Sequence, residues 1–209
     1  MMLITLNNIG RRFNYDWIFR NVCFEFETDK SYAILGSNGT GKSTLLQLIS
    51  GVLSPSEGSI NYEQNGKKIS VDSLFKHLAL ATPYMELIEE LTLQEFSHFH
   101  FKFKELHPKL TDINAFLEIL ELSSHKHKLL KYFSSGMKQR LKLAIACCSN
   151  TAILLLDEPT VNLDTTSIKW YQNLIQEFTK QRLVIVASNQ MHEYEFCEQT
   201  LAVEDFKKF

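Results

Sequence analysis

The sequence predicts an α/β fold: a mainly parallel sheet covered on both faces, with an antiparallel β attachment near its start and a helical attachment in its middle. Three observations predict it. Short apolar runs at Tyr32–Leu35, Leu78–Ala81, Ala152–Leu156 and Leu183–Ala187 alternate with segments of helical period, the pattern of strands joined by crossover helices. An Asn65-Gly66 pair, the preferred two-residue turn, sits inside residues 60–70 and reads as a hairpin. From about residue 88 to 133 the period is that of helices, with no strand between them.

Each element has a local reason. Residues 2–6 and 22–27 alternate in the strand manner. Tyr32–Leu35 ends at Gly36, and Ser43 to Ser50 follows as a helix that Gly51 and Pro55 stop. Thr92 is an N-cap with Glu95 three residues on, a capping box. A helix over about 112–122 places Ile113, Phe116, Leu117 and Leu120 on one face. Helices over about 136–148 and 165–180 flank the strand at 152–156. Strands at 183–187 and 201–203 complete the order.

Composition excludes several classes. The 209 residues are 44% hydrophobic and 22% charged, which is ordinary for a globular chain and not for a disordered one. A net charge of −2 gives no global basic field, so no nucleic-acid partner is expected. Four cysteines, Cys23, Cys147, Cys148 and Cys197, are too few and scattered for a disulfide framework and read as free thiols in a reducing compartment. No apolar run approaches the roughly 20 residues of a spanning helix, and the N-terminus lacks a leader's apolar core. A cytoplasmic chain, held at a membrane only through a partner, is expected. Five histidines (His98, His100, His107, His125, His127) cluster in the helical stretch, but their i,i+2 spacing does not put pairs on one helix face, so they read as solvated surface. Lys126, Lys128 and Lys131 read the same way.

Three motifs carry chemistry. Gly36-Ser37-Asn38-Gly39-Thr40-Gly41-Lys42-Ser43 fits G-x-x-x-x-G-K-[ST] between a strand and a helix. Glycines let the backbone aim its N–H groups at phosphate oxygens, and the helix N-terminus adds positive potential. Lys42 suits the β- and γ-phosphates, and Ser43 offers a hydroxyl to Mg²⁺; Thr44 follows within the same nucleotide-binding set. The second motif, Ile153-Leu154-Leu155-Leu156-Asp157-Glu158-Pro159-Thr160, delivers two carboxylates at the carboxyl end of an apolar strand, where ligands of open α/β sheets bind. Asp157 is a hard oxygen ligand for Mg²⁺, and Glu158 suits polarisation of a water. The third is Phe133-Ser134-Ser135-Gly136-Met137-Lys138-Gln139-Arg140, opening a helix.

With the third motif the chain resembles the ATP-binding-cassette (ABC) ATPases, whose signature reads Leu-Ser-Gly-Gly-Gln. Phe133, Ser134, Ser135, Gly136 and Met137 stand at those five places. The resemblance covers essentially the whole chain, with motifs in family order. It implies a single cassette over 1–209, built as a P-loop NTPase core with an antiparallel β-subdomain and a helical subdomain over about 85–135. It also implies ATP and Mg²⁺ as ligands and a head-to-tail homodimer in which Ser134–Met137 face the nucleotide of the other subunit. Phe13 resembles the aromatic that stacks on adenine, with Tyr15 and Trp17 as rivals. Asp164, in Asn162-Leu163-Asp164, resembles the loop that contacts the opposite subunit. Glu158 would be general base, with Asp157 and Ser43 holding Mg²⁺.

Two positions depart from the family pattern. Tyr84 stands where a Gln usually touches Mg²⁺ and the attacking water, and Asn189 stands where a His usually follows the final core strand. Asn donates a hydrogen bond but carries no positive charge, so both changes bear on turnover. The implied function is the ATP-hydrolysing subunit of a membrane transporter, resembling bacterial exporter subunits, its spanning domains on another chain. A switch that binds ATP with little turnover and a soluble non-transport ABC ATPase are the alternatives.

Overall fold

The computed structural model describes residues 1–207, which divide into two compact units. The first holds Met1–Leu80, Ala152–Glu158 and the described residues from Gln181 onward; the second holds Ala81–Thr151 and Pro159–Lys180. The second unit is thus larger than a helical insert over about 85–135, because it includes the helices on either side of the acidic strand.

In the first unit, strands β1 (Met2–Phe13), β2 (Asp16–Glu27), β4 (Glu57–Gln64) and β5 (Lys67–Ile69) form a sheet in the order β2-β1-β4-β5. The pairings are antiparallel. β1 and β2 are twice the length expected from alternation alone, because bulges interrupt their register near Leu6, Ile9 and Arg11 and break the period of two. The β4–β5 turn is Asn65-Gly66 at φ 52° and 74°, the left-handed pair that this hairpin requires.

A second sheet has the order β6-β7-β8-β3-β9. It comprises β3 (Ser31–Leu35), β6 (Leu78–Ala81), β7 (Ile153–Asp157), β8 (Leu183–Ala187) and β9 (Gln199–Ala202). β7, β8, β3 and β9 run parallel. Every residue of β7 and β8 is buried, as expected of strands covered on both faces. Helix α1 (Lys42–Ile49) buries Leu45, Leu46, Leu48 and Ile49 in one cluster with Ile4 and Leu6 of β1, Ile34 of β3, Leu155 of β7 and Ile185 of β8. One-turn helices α2 (Val71–Leu74) and α7 (Met191–Tyr194) are too short for a period to signal them.

The second unit contains α3 (Leu93–His100), α4 (Ile113–Ile119), α5 (Ser135–Cys147) and α6 (Thr165–Phe178). Side chains cap each of them: Thr92 and Glu95 make a capping box, and Asp112, Ser134 and Asp164 accept from Ala115, Met137 and Ser167, supplying orphan N–H groups with partners. α4 stops three residues short of the expected end, and Glu121 then turns the chain at φ 56°. Arg140 of α5 donates to Leu120 O and Glu121 and lies 4.6 Å over the Trp170 ring, whose Nε1 donates to Ile119 O. His100 and His107, expected at the solvated surface, are instead partly buried. The His107 ring packs edge-on against Phe178, with centroids 5.1 Å apart. His100 is not solvated surface: its Nε2 lies 3.0 Å from Ser149 Oγ, and burial pushes its pKa down to about 4.

Candidate functional site

The phosphate loop leaves β3 at Gly36 and enters α1 at Lys42. Gly41, the N-cap, has φ 107°, and a Cβ there would lie 2.4 Å from Ile18 Cγ2, so only glycine fits. No side chain caps α1, leaving its first N–H groups to a ligand, the usual anion site of a helix N-terminus. Lys42 is 4% exposed, and its ammonium donates to Gly36 O at 2.8 Å and Ser37 O at 3.3 Å. Thr40 closes the turn by donating to Ser37 O at 2.8 Å.

The acidic pair stands at the end of β7. Asp157 is 2% exposed, accepts from the Ser43 hydroxyl, and leaves Oδ1 buried without a partner. Burial pushes its pKa up to about 6, with the Glu158 and Glu193 charges in the same direction; the Ser43 hydrogen bond and Lys42 oppose the shift. A buried, unpaired carboxylate oxygen beside a hydroxyl is a hard-oxygen donor set, and it fits a divalent cation such as Mg²⁺. Glu158 has φ 41°, and its N–H donates to Ala187 O. A left-handed, non-glycine residue directly after a strand breaks the alternation of that strand, so Glu158 departs from β7 in a direction of its own.

After β8, Ser188 is fully buried and donates to Glu193, which is fully buried as well. The next residue, Asn189, donates through Nδ2 to Asn38 Oδ1 at 3.1 Å. Asn189, where the sequence resemblance leads one to expect a histidine, is thus joined to the phosphate loop by a neutral amide pair. Phe13 is 46% exposed at the end of β1, with the Arg11 guanidinium 4.6 Å over its ring; Tyr15, at the turn, is 92% exposed. Two guanidinium groups lie over the Trp17 ring, Arg20 at 4.3 Å and Arg12 at 5.5 Å from its centroid.

The remaining candidates lie in the second unit. Ser134 opens α5, and its hydroxyl accepts from Met137 N–H at 3.2 Å. Ser135 and Gly136 form the first turn; a Cβ on Gly136 would lie 3.0 Å from Asn162 O. Gln139 donates to Pro159 O at 2.8 Å. The signature helix is therefore fastened to the loop that carries Asp164. The Asp164 carboxylate caps α6 onto Ser167 N–H at 2.7 Å, which holds its pKa below the usual carboxylate range. Tyr84 is 78% exposed, and Lys142 of α5 donates to the preceding carbonyl, Pro83 O, at 2.8 Å.

Two residues of the site escaped the sequence reading. Glu193 is an acid on a one-turn helix, and Glu204 lies on a single 3₁₀ turn, yet Glu204 accepts two hydrogen bonds from Ser37. Neither belongs to a motif, and the Glu204–Ser37 pairing spans 167 residues, so no local signal marks it.

The chain is similar to known proteins in sequence and in fold. The chain is 29% identical over 207 residues to an uncharacterized ABC transporter ATP-binding protein, YxlF, of Bacillus subtilis, covering 97% of this chain and 68% of that one. It is 27% identical over 173 residues to ATP-binding cassette sub-family A member 2 of Rattus norvegicus, covering 82% of this chain but 7% of the length of the rat protein. A solved dimeric bacterial ABC transporter cassette has the same fold, with a TM-score of 0.76 at 24% identity over 96% of this chain and 94% of that one. No helix among the described residues is long and apolar enough to cross a membrane. With its phosphate loop, acidic strand and capped signature helix in place, and with the family model described as ABC transporter matching residues 19–161, the chain belongs to the ABC transporter family.

Proposed function

We propose that this chain binds and hydrolyses ATP with Mg²⁺, and that it powers a transporter whose membrane-spanning subunit is a separate chain. The observation that carries the reading is the gathering of Lys42, Ser43, Asp157 and Glu158 at the carboxyl ends of the parallel strands β3 and β7, with an unpaired Asp157 oxygen beside the Ser43 hydroxyl. In this reading the loop Gly36–Thr44 cradles the phosphates with the N–H groups that are not already bonded within the protein, as those of Ser37 and Thr40 are, and Lys42 turns from its loop carbonyls to the β- and γ-phosphates. Ser43 and Asp157 hold Mg²⁺, which neutralises charge on the phosphate oxygens. Glu158 accepts a proton from the water that attacks the γ-phosphorus; the bond to the β–γ bridging oxygen breaks, and ADP leaves with phosphate. Phe13 stacks on adenine.

Two chains close head to tail, so that Ser134–Met137 of one cover the nucleotide of the other and Asp164 lies at the junction. ABC cassettes form dimers, as the solved bacterial example does. Asn189 supplies a neutral donor to the γ-phosphate where a charged histidine is usual, and Tyr84 is assigned the place of the family glutamine from its sequence position. Both slow the chemical step without weakening binding. The protein works on the inner face of the membrane, held there by its partner.

The test is nucleotide binding and turnover by the purified chain, with and without the membrane protein that co-purifies with it. ATP binding that depends on Mg²⁺ and is lost in Lys42→Ala, with turnover stimulated by the membrane partner, is the expected result. Unchanged ATP affinity in Lys42→Ala overturns the phosphate-loop reading. Turnover as slow as that of Glu158→Gln with the partner present leaves an ATP-binding switch instead.

A further inference from the structure

The first turn of the phosphate loop is tied to the chain's last described turn. β3 and β9 are parallel neighbours, with Leu35 opposite Ala202, so both leave the sheet at its carboxyl end. Gly36 and Ser37 follow β3, and a single 3₁₀ turn, Val203–Phe206, follows β9. From that turn Glu204 Oε1 accepts the Ser37 N–H at 3.0 Å and the Ser37 hydroxyl at 2.7 Å. These two bonds hold the Glu204 pKa below its ordinary value, with smaller help from the charges of Lys207 and Lys42.

Ser37 is a hub in its own right. Its carbonyl accepts from Thr40 N–H at 3.2 Å, from the Thr40 hydroxyl at 2.8 Å and from Lys42 Nζ at 3.3 Å. One carboxylate therefore fixes the donor side of a residue whose acceptor side organises the rest of the loop. By charge alone, a carboxylate within reach of Lys42 opposes the binding of a polyphosphate. A favourable contribution from Glu204 has to come from geometry, by holding the loop in one conformation before the nucleotide arrives.

We propose that Glu204 is a positioning residue for nucleotide binding, acting through Ser37 to hold the phosphate loop in its binding conformation. The inference rests on the reading of the loop as an ATP site. The Glu204 side chain is exposed, so its replacement removes the two bonds without opening the core.

The experiment measures the dissociation constant of Mg-ATP by calorimetry for the full chain and five variants. Wild-type binding that is lost in Lys42→Ala establishes the ATP site; without it the underlying reading fails, whatever Glu204 does. Given that site, Glu204→Ala weakens ATP about three- to tenfold, the scale of one or two net hydrogen bonds. In steady-state hydrolysis the same variant raises KM and leaves kcat within about twofold. Glu204→Gln keeps the acceptor oxygen and removes the charge, so it binds ATP at least as tightly as wild type. Asp205→Ala removes the neighbouring charge and leaves affinity unchanged. Glu204→Ala with wild-type affinity overturns the proposal, and so does Glu204→Gln as weak as Glu204→Ala. Should Glu204→Ala fail to fold, Ser37→Ala decides: it removes only the 2.7 Å hydroxyl bond, and affinity weakened about threefold supports the link, whereas unchanged affinity overturns it.

Discussion

Glu158 and Asn189 set the expected rate from opposite sides. A positioned general base contributes about 10²–10⁴-fold, so Glu158→Gln removes most turnover and leaves ATP bound; single-turnover hydrolysis and calorimetry on the same sample measure the two. Asn189 is joined to Asn38 by one neutral hydrogen bond. An imidazole there donates as well and, when protonated, adds positive charge near the γ-phosphate. Asn189→His is therefore expected to raise the single-turnover rate above wild type. A rate that stays at the wild-type value shows that the loss of the histidine does not limit turnover and moves the search to Tyr84, whose hydroxyl is removed in Tyr84→Phe.

At the scale of elements, the bulge in β1 and the burial of α3 make separate claims on stability. Gly58 has φ 78°, and a Cβ there would lie 2.3 Å from Asn8 O and 2.4 Å from Asn7 O, both backbone atoms. Gly58→Ala combines a strained backbone with a clash that no rotamer relieves, costing upwards of about 2 kcal/mol. A fall in melting temperature of about 4–8 °C is the expected reading. His100 near the end of α3 has its pKa pushed down to about 4 by burial, with Lys104 adding to the shift. The unfolded chain takes up that proton at the ordinary value near 6.5. Stability from this group is thus complete above about pH 6.5 and is lost as the pH falls toward 4. His100→Gln flattens that decline, which melting curves between pH 7 and pH 4 record. The same elements show what the sequence makes legible. The Thr92–Glu95 box, the Asn65-Gly66 turn and the apolar strands β7 and β8 are local patterns, and each appears in the structure where its residues stand. The long β1–β2 ribbon is masked by bulges at Asn8 and Asn21, both at positive φ. The unpaired Asp157 oxygen, the Asn189–Asn38 pair and the Glu204 tie depend on strands meeting across the sheet, so no window of sequence contains them.

The whole molecule is where the proposed head-to-tail dimer is tested. Ser134 already spends its hydroxyl on capping α5, so Ser134→Ala loses the cap, about 1 kcal/mol, and keeps a small residue at the signature. Ser134→Arg instead places a long cation where the facing nucleotide would sit, and that subunit cannot complete its neighbour's site. Lys42→Ala subunits cannot bind the phosphates in their own loop. Each variant alone is inactive in this arrangement. Mixed at equal concentration, half of the dimers pair one of each kind. Every such dimer contains one site with an intact loop from the Ser134→Arg chain and an intact signature from the Lys42→Ala chain. A two-fold dimer with independent sites then recovers roughly a quarter of the wild-type rate; a requirement that both sites fire together recovers none. The control is the wild-type rate per chain across a range of protein concentrations. It rises as dimers form and then levels off, and a rate independent of concentration down to the monomer refutes the shared site.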